Sequence, residues 1–198
     1  VKTGFIRLDE MTGGLHKGDL FIIGARPSMG KTAFALNVAS HVAMKQKRVV
    51  AVFSMEMSKE SILTRMMCSA ARVDSFLFRM GYLSQEERRH LTAALSDLTD
   101  APLYLDDTAG VTLMDMHAKL RRLKQEKGDL ALVIVDYLQL MGSRGKVESR
   151  NQQVSELSRG LKLMAKELDC PFIVLSQLKN PAVSYLQLKR VISLEENG

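Results

Sequence analysis

The residues with the clearest chemical purpose are Gly24-Ala25-Arg26-Pro27-Ser28-Met29-Gly30-Lys31-Thr32. Small and glycine residues before a helix let backbone N–H groups turn toward an anion, and the helix dipole favours its charge. Gly30 lets the backbone approach a phosphate closely. Lys31 reaches the outer phosphates of a nucleotide, and the Thr32 hydroxyl joins an Mg2+ shell. Ala25, Arg26, Pro27, Ser28, Met29, Gly30, Lys31 and Thr32 are therefore the candidate residues for ATP and Mg2+. The generic phosphate-loop pattern has glycine where this chain has Ala25, with Gly24 one step earlier.

Two carboxylates complete a hydrolytic site. Asp136 ends the apolar run Leu130-Ala131-Leu132-Val133-Ile134-Val135. A carboxylate at the tip of a buried strand, on the sheet that carries the phosphate loop, suits the same Mg2+. Glu56 follows the apolar stretch ending in Phe53-Ser54-Met55, where a carboxylate beside the terminal phosphate orients and deprotonates water. Gln177, an uncharged donor and acceptor after another apolar run, suits a γ-phosphate sensor. Gly142-Ser143-Arg144-Gly145-Lys146, followed by Arg150, is a small-residue basic loop. Arg144, Lys146 and Arg150 suit the tracking of nucleic-acid phosphates without base readout. The four histidines, His16, His41, His90 and His117, share no metal-ligand spacing.

These residues need a frame that gathers them. Short β-branched runs alternate with helical stretches along the chain. Strands are expected at Leu20 to Gly24, Arg48 to Met55, Leu103 to Asp106, Leu130 to Asp136 and Phe172 to Ser176. Helices are expected from Lys31 to about Lys45, with Phe34, Val38 and Val42 on one face, and from an N-cap at Ser58 to about Val73. Ser84 and Glu87 form a capping box before a helix to about Leu98. Thr112 caps a helix carrying Met116, Leu120 and Leu123. A long helix places Val154, Leu157, Leu161, Met164 and Leu168 on one stripe. Strand–helix alternation implies crossovers and a mainly parallel sheet. A strand apolar on both faces requires helices on both sides, so the fold class is α/β with three layers. Such sheets hold ligands at their carboxyl ends, where Gly24, Glu56, Asp136 and Gln177 converge.

Composition narrows the classes. The 198 residues suit one domain, and 46% apolar with 25% charged is ordinary for a globular chain. The run from Leu130 to Val135 is far short of the roughly 20 residues of a membrane helix, and no secretory leader is visible. A net charge of +6 fits a nucleotide or nucleic-acid partner. Absence of Trp and 6% aromatics argue against a base-stacking surface. Cys68 and Cys170 suggest no disulfide framework, so the expected setting is the reducing cytoplasm. The 12 methionines are expected to fill gaps in the core.

A family resemblance carries the expectation further. Thr3-Gly4-Phe5, Leu8-Asp9, Thr12-Gly13-Gly14-Leu15 and Gly18-Asp19-Leu20 precede the phosphate loop. Phe53-Ser54-Met55-Glu56-Met57-Ser58, Asp136-Tyr137-Leu138-Gln139-Leu140-Met141 and Leu175-Ser176-Gln177-Leu178 follow it. With Ala25 through Thr32, these strings closely resemble the ATPase domain of the DnaB-type replicative DNA helicases, in order from Val1 to about Leu178. The family's usual alanine at the first loop position matches Ala25. The resemblance implies a RecA-like P-loop NTPase core and a ring homo-hexamer coupling ATP hydrolysis to 5′ to 3′ travel on single-stranded DNA. It also implies primase and a helicase loader as partners and a cytoplasmic, membrane-free setting. By the same resemblance Lys31 and Thr32 bind nucleotide and Mg2+, and Glu56 is the catalytic base. Asp136 is the Mg2+ carboxylate, Gln177 the γ-phosphate sensor, and the loop after Asp136 faces the central channel.

Residues 1–178 are thus expected to form the ATPase domain. Residues 179–198, including Asn180-Pro181-Ala182-Val183, do not match the family's late motifs and are expected to be a divergent or truncated tail. The family's basic finger, given to a neighbouring subunit, has no counterpart there. Two other readings share the phosphate-loop residues. A RecA-like ATPase of another class, such as a strand-exchange filament or a clock-type ring, lacks the D-Y-L-Q-L string. A nucleotide-binding fragment that docks on a helicase or loader would bind without turning over.

Overall fold

Each apolar run of the sequence becomes a strand of one sheet. The computed structural model describes residues 1–26, 28–136, 150–177 and 191–193. The strands are β1 (Leu20–Ala25), β2 (Val49–Ser54), β3 (Leu103–Asp106), β4 (Leu130–Asp136), β5 (Phe172–Gln177) and β6 (Val191–Ser193). The helices are α1 (Ile6–Thr12), α2 (Lys31–Ser40), α3 (Lys59–Ala71), α4 (Ser75–Met80), α5 (Gln85–Thr99), α6 (Leu113–Lys127) and α7 (Arg150–Glu167). The strand order is β3-β2-β4-β5-β1-β6, with every pairing parallel.

Alternation along each strand assigns the two faces. Ile22, Phe53, Val133, Val135 and Val174 pack with Met116 and Leu120 of α6 and with Leu157, Leu161 and Met164 of α7. Ile23, Val52, Leu132, Ile134 and Leu175 pack with Leu36, Val38 and Ala39 of α2 and with Ile62 and Met66 of α3. All seven residues of β4 are buried, as a strand covered on both sides must be. The expected three-layer α/β architecture is the one observed. A third cluster, Cys68, Ala71, Val73, Leu91 and Ala94, joins α3 to α5.

The expected caps form. Ser58 accepts the Ser61 N–H, and Ser84 with Glu87 makes the capping box of α5. Thr112 pairs with Asp115 in a second box that starts α6. Three features differ from the sequence reading. The single helix expected from Lys31 to Lys45 is α2 followed by a π-helical turn at His41–Lys45, where the Gln46 N–H reaches the His41 carbonyl at 3.2 Å. The His41 ring lies over Gly4 (φ +90°), where a β-carbon would stand 2.7 Å from His41 Cγ. Two short helices, α1 and α4, were not expected. Asp74 starts α4 by accepting the Phe76 and Leu77 N–H groups, and left-handed Gly81 ends it. The strand β6 was not expected either; it lies beside β1, with Ile22 opposite Val191 and Gly24 opposite Ser193.

The residues before β1 form a clasp. Asp9 accepts the Thr3 N–H at 2.8 Å, the Thr3 hydroxyl at 3.0 Å and the Gly4 N–H at 3.3 Å. The Phe5 ring stacks on Phe34 of α2 with centroids 4.7 Å apart. This couples the Thr3 to Asp9 segment to the helix that begins at the phosphate loop.

Candidate nucleotide-binding site

The loop from β1 to α2 is a tight turn that ends at the N-terminus of α2. Ser28 (φ +66°) and Gly30 (φ +81°) are both left-handed, and the Met29 N–H donates to the Arg26 carbonyl at 3.4 Å. Gly30 is the N-cap of α2 and has no side chain to satisfy the first-turn amides. Arg26, Ser28, Met29 and Gly30 are exposed, whereas Ala25 is buried at the end of β1. Pro27 lies outside the described residues.

Topology then brings the remaining groups to this loop. β5 lies between β1 and β4, so the phosphate loop and Asp136 are not on neighbouring strands. α2 bridges the gap. The Thr32 hydroxyl donates to Asp136 Oδ2 at 2.7 Å, and Lys31 Nζ stands 3.5 Å from Asp136 Oδ1. The lysine side chain is 11% exposed and the aspartate 3% exposed, so this is a screened pair. Asp136 Oδ1 is buried and has no hydrogen-bond partner among the described residues. Asp136 therefore presents one oxygen that accepts a hydroxyl and one that faces the Lys31 ammonium without a hydrogen bond, both hard donors of the kind Mg2+ takes.

Glu56 is brought close by backbone pairing. Ser54 lies opposite Asp136 in the β2–β4 register, and the Met55 N–H donates to the Asp136 carbonyl at 2.8 Å. Glu56 is the next residue, exposed, and its carboxylate has no hydrogen-bond or ion-pair partner among the described residues. Gln177, half-buried, ends β5 directly opposite Ala25. The four strand ends named from the sequence thus share one edge of the sheet. Arg144 and Lys146 lie outside the described residues. Arg150 opens α7, and its side chain is likewise not described.

Sequence reasoning overlooked two residues at this edge. Ser54 is 2% exposed and bonds the turn that carries Glu56. Asp107, just past β3, accepts the Lys59 N–H at 3.1 Å and so caps α3 from another strand end. The signal for Ser54 was a hydroxyl ending an otherwise apolar run, a recurrent turn-former. Nothing local signals Asp107, whose target lies 48 positions away. Among the described residues, no helix is long and apolar enough to cross a membrane.

Comparison with known proteins places this arrangement. A family model described as the DnaB-like helicase C terminal domain matches residues 1–189. The chain is similar to the replicative DNA helicase DnaB of Geobacillus stearothermophilus, with 48% identity over 201 residues, covering all of this chain and 44% of that protein. It is equally similar to the replicative DNA helicase DnaC of Bacillus subtilis, again 48% identical with 44% of that protein covered. This chain therefore spans less than half the length of these curated relatives. Among solved structures it is similar to a DnaB-like replicative helicase described with its interactions with primase, with a TM-score of 0.85 and 35% identity over 90% of this chain and 43% of that one. It is also similar to a second solved structure, an ATPase domain, with a TM-score of 0.86 and 34% identity over 91% of this chain and 64% of that one.

Proposed function

Since this chain belongs to the DnaB-like helicase C-terminal domain family, we propose that it is the ATP-hydrolysing motor of a replicative DNA helicase. The observation that carries this reading is the Thr32–Asp136–Lys31 constellation at the carboxyl edge of the sheet, beside the open first turn of α2. Thr32 and the two oxygens of Asp136 are the residues that would hold Mg2+. An ion held there would supply positive charge to offset the negative charge of the bound phosphates.

The chain's own groups do the rest. The loop amides and the α2 N-terminus bind the phosphates, and Lys31 exchanges the Asp136 carboxylate for the outer phosphate oxygens. Glu56, with its carboxylate open to solvent, orients the attacking water and accepts its proton. Gln177 contacts the γ-phosphate and reports its loss to β5. Arg144, Lys146 and Arg150 hold single-stranded DNA by its phosphates, so hydrolysis at the strand ends moves the polynucleotide. The working form is a homo-hexamer with nucleotide between subunits, in the cytoplasm, served by a helicase loader. A primase partner is supported by the primase interactions described for the similar helicase structure.

Residues 1–198 alone are expected to bind nucleotide and hydrolyse it slowly, so ATP turnover by the assembled protein that carries this domain, with and without single-stranded DNA, tests the reading. The expected result is hydrolysis that rises on adding DNA. Tight ATP binding with no DNA-stimulated turnover would leave only a nucleotide-binding module.

A further inference from the structure

One of the two ties on the turn that carries Glu56 is a buried hydroxyl. Ser54 closes a strand that reads Val49-Val50-Ala51-Val52-Phe53, and it is 2% exposed. A hydroxyl buried there without partners would be destabilising. It is satisfied twice by one residue: Ser54 Oγ donates to the Met57 carbonyl at 2.8 Å and accepts the Met57 N–H at 3.1 Å. On the other side of Glu56, the Met55 N–H is bonded to the Asp136 carbonyl at 2.8 Å. Glu56 is therefore the tip of a three-residue bridge, Met55-Glu56-Met57, with both neighbours tied down. One tie runs to the strand end that carries the Mg2+ carboxylate, and the other runs to Ser54, the residue paired with Asp136 in the sheet register.

We infer that Ser54 is a positioning residue for the hydrolytic step, setting where the Glu56 carboxylate stands relative to Asp136. This rests on the reading of Glu56 as the base that acts on water. The Ser54 hydroxyl is bonded to the Met57 backbone and so acts through the turn. Without the hydroxyl, the Met55 bond still anchors the start of the turn, but the Met57 backbone loses both its bonds to Ser54 and is held only by the packing of its side chain, so Glu56 gains freedom to move. Displacement of a reacting group by about 1 Å costs on the order of 100-fold in rate. Nucleotide binding depends on the loop at 24–32 and on α2, whereas both hydrogen bonds of the Ser54 hydroxyl go to Met57.

The test is a two-by-two set in the full chain: parent, Ser54→Ala, Glu56→Gln and the double variant, each measured for ATP affinity and single-turnover hydrolysis. Ser54→Ala is expected to keep ATP affinity and KM while turnover falls roughly 10- to 100-fold. In the Glu56→Gln background the same change should cost almost nothing, because the group it positions is gone. Ser54→Thr retains the hydroxyl and should turn over near the parent rate, which guards against a Ser54→Ala chain that folds badly. Equal proportional losses in both backgrounds overturn the inference, as does an ATP affinity that falls in step with turnover. Normal turnover in Ser54→Ala beside a defective Glu56→Gln removes the inference alone. Normal turnover in Glu56→Gln removes the reading of Glu56, and the inference with it.

Discussion

Lys31→Ala deletes the ammonium that stands 3.5 Å from Asp136 Oδ1. At an effective dielectric of about 20, two charges at that separation attract by roughly 5 kcal/mol. Much of that attraction repays the desolvation of two groups that are only 11% and 3% exposed. Removing one member of a buried pair while the other stays costs about 3–5 kcal/mol. The lysine side chain keeps 11% of its surface exposed, so a loss of about 3 kcal/mol, the low end of that range, is expected. In a chain of this length 1 kcal/mol moves the melting temperature by about 2–4 °C, so the nucleotide-free variant should melt about 6–12 °C below the parent. Lys31→Ala combined with Asp136→Asn leaves no unpaired charge and keeps an oxygen for the Thr32 hydroxyl. Most of the lost stability should therefore return in the double variant. The single variant should also bind a fluorescent ATP analogue more weakly, by about 1.5–3 kcal/mol, which is roughly ten- to a hundred-fold. Calorimetry of the three proteins and one titration of the analogue cover both expectations. A single variant that melts with the parent, or a double variant no better than the single, would show that the buried pair does not stabilise the free protein. An unchanged analogue affinity would remove Lys31 from the nucleotide site.

Charge reversal at Arg144 and Lys146 should weaken single-stranded DNA binding for every sequence and reduce its salt slope by about one for each phosphate no longer neutralised; an unaltered slope in a salt titration takes this loop off the DNA path. Burial pushes the Asp106 carboxyl up, but bonds from the Lys119 ammonium and from the Thr108 hydroxyl and N–H more than offset it, so its pKa lies below the ordinary 3.8. That stabilisation is complete above the ordinary value and is lost as pH falls through the lower folded pKa. Asp106→Asn should therefore lose less stability than the parent below about pH 4, and acid-unfolding curves that superimpose would contradict this. Burial pushes the Cys170 thiol up to about 12 and also raises that of Cys68. Neither should react with a thiol-specific dye at neutral pH until denaturant is added, and labelling of the native protein within minutes would refute it.

The phosphate loop was legible because it is a local device. Its loop residues, its lysine and its hydroxyl are contiguous, and a strand before it and a helix after it supply the context. The central strand β4 was legible because six apolar residues without polar alternation admit only a position covered on both faces, and that also located Asp136 at a strand tip. The caps at Ser58, Ser84 and Thr112 were legible because each is a bond within four residues. The helices α1 and α4 were not, since six or seven residues complete less than two turns and carry no usable periodicity. Their only signals are the residues that bound them, Asp74 and the left-handed Gly13 and Gly81.

What the sequence could not place was which strand lies beside which. That β5 separates β1 from β4, and that α2 must carry Thr32 across it to Asp136, follows from the strand order and not from any residue's own preference. Tertiary structure likewise decided that the three residues of β6 pair with β1, that Asp107 caps a helix 48 positions earlier in the chain, and that Ser54 stands opposite Asp136. Composition and spacing determine which chemistry the chain can carry, because side-chain type and local backbone form are short-range properties. Adjacency between distant strand ends is settled only when both faces of the sheet are buried at once, because the contacts that stabilise one order over another are non-local.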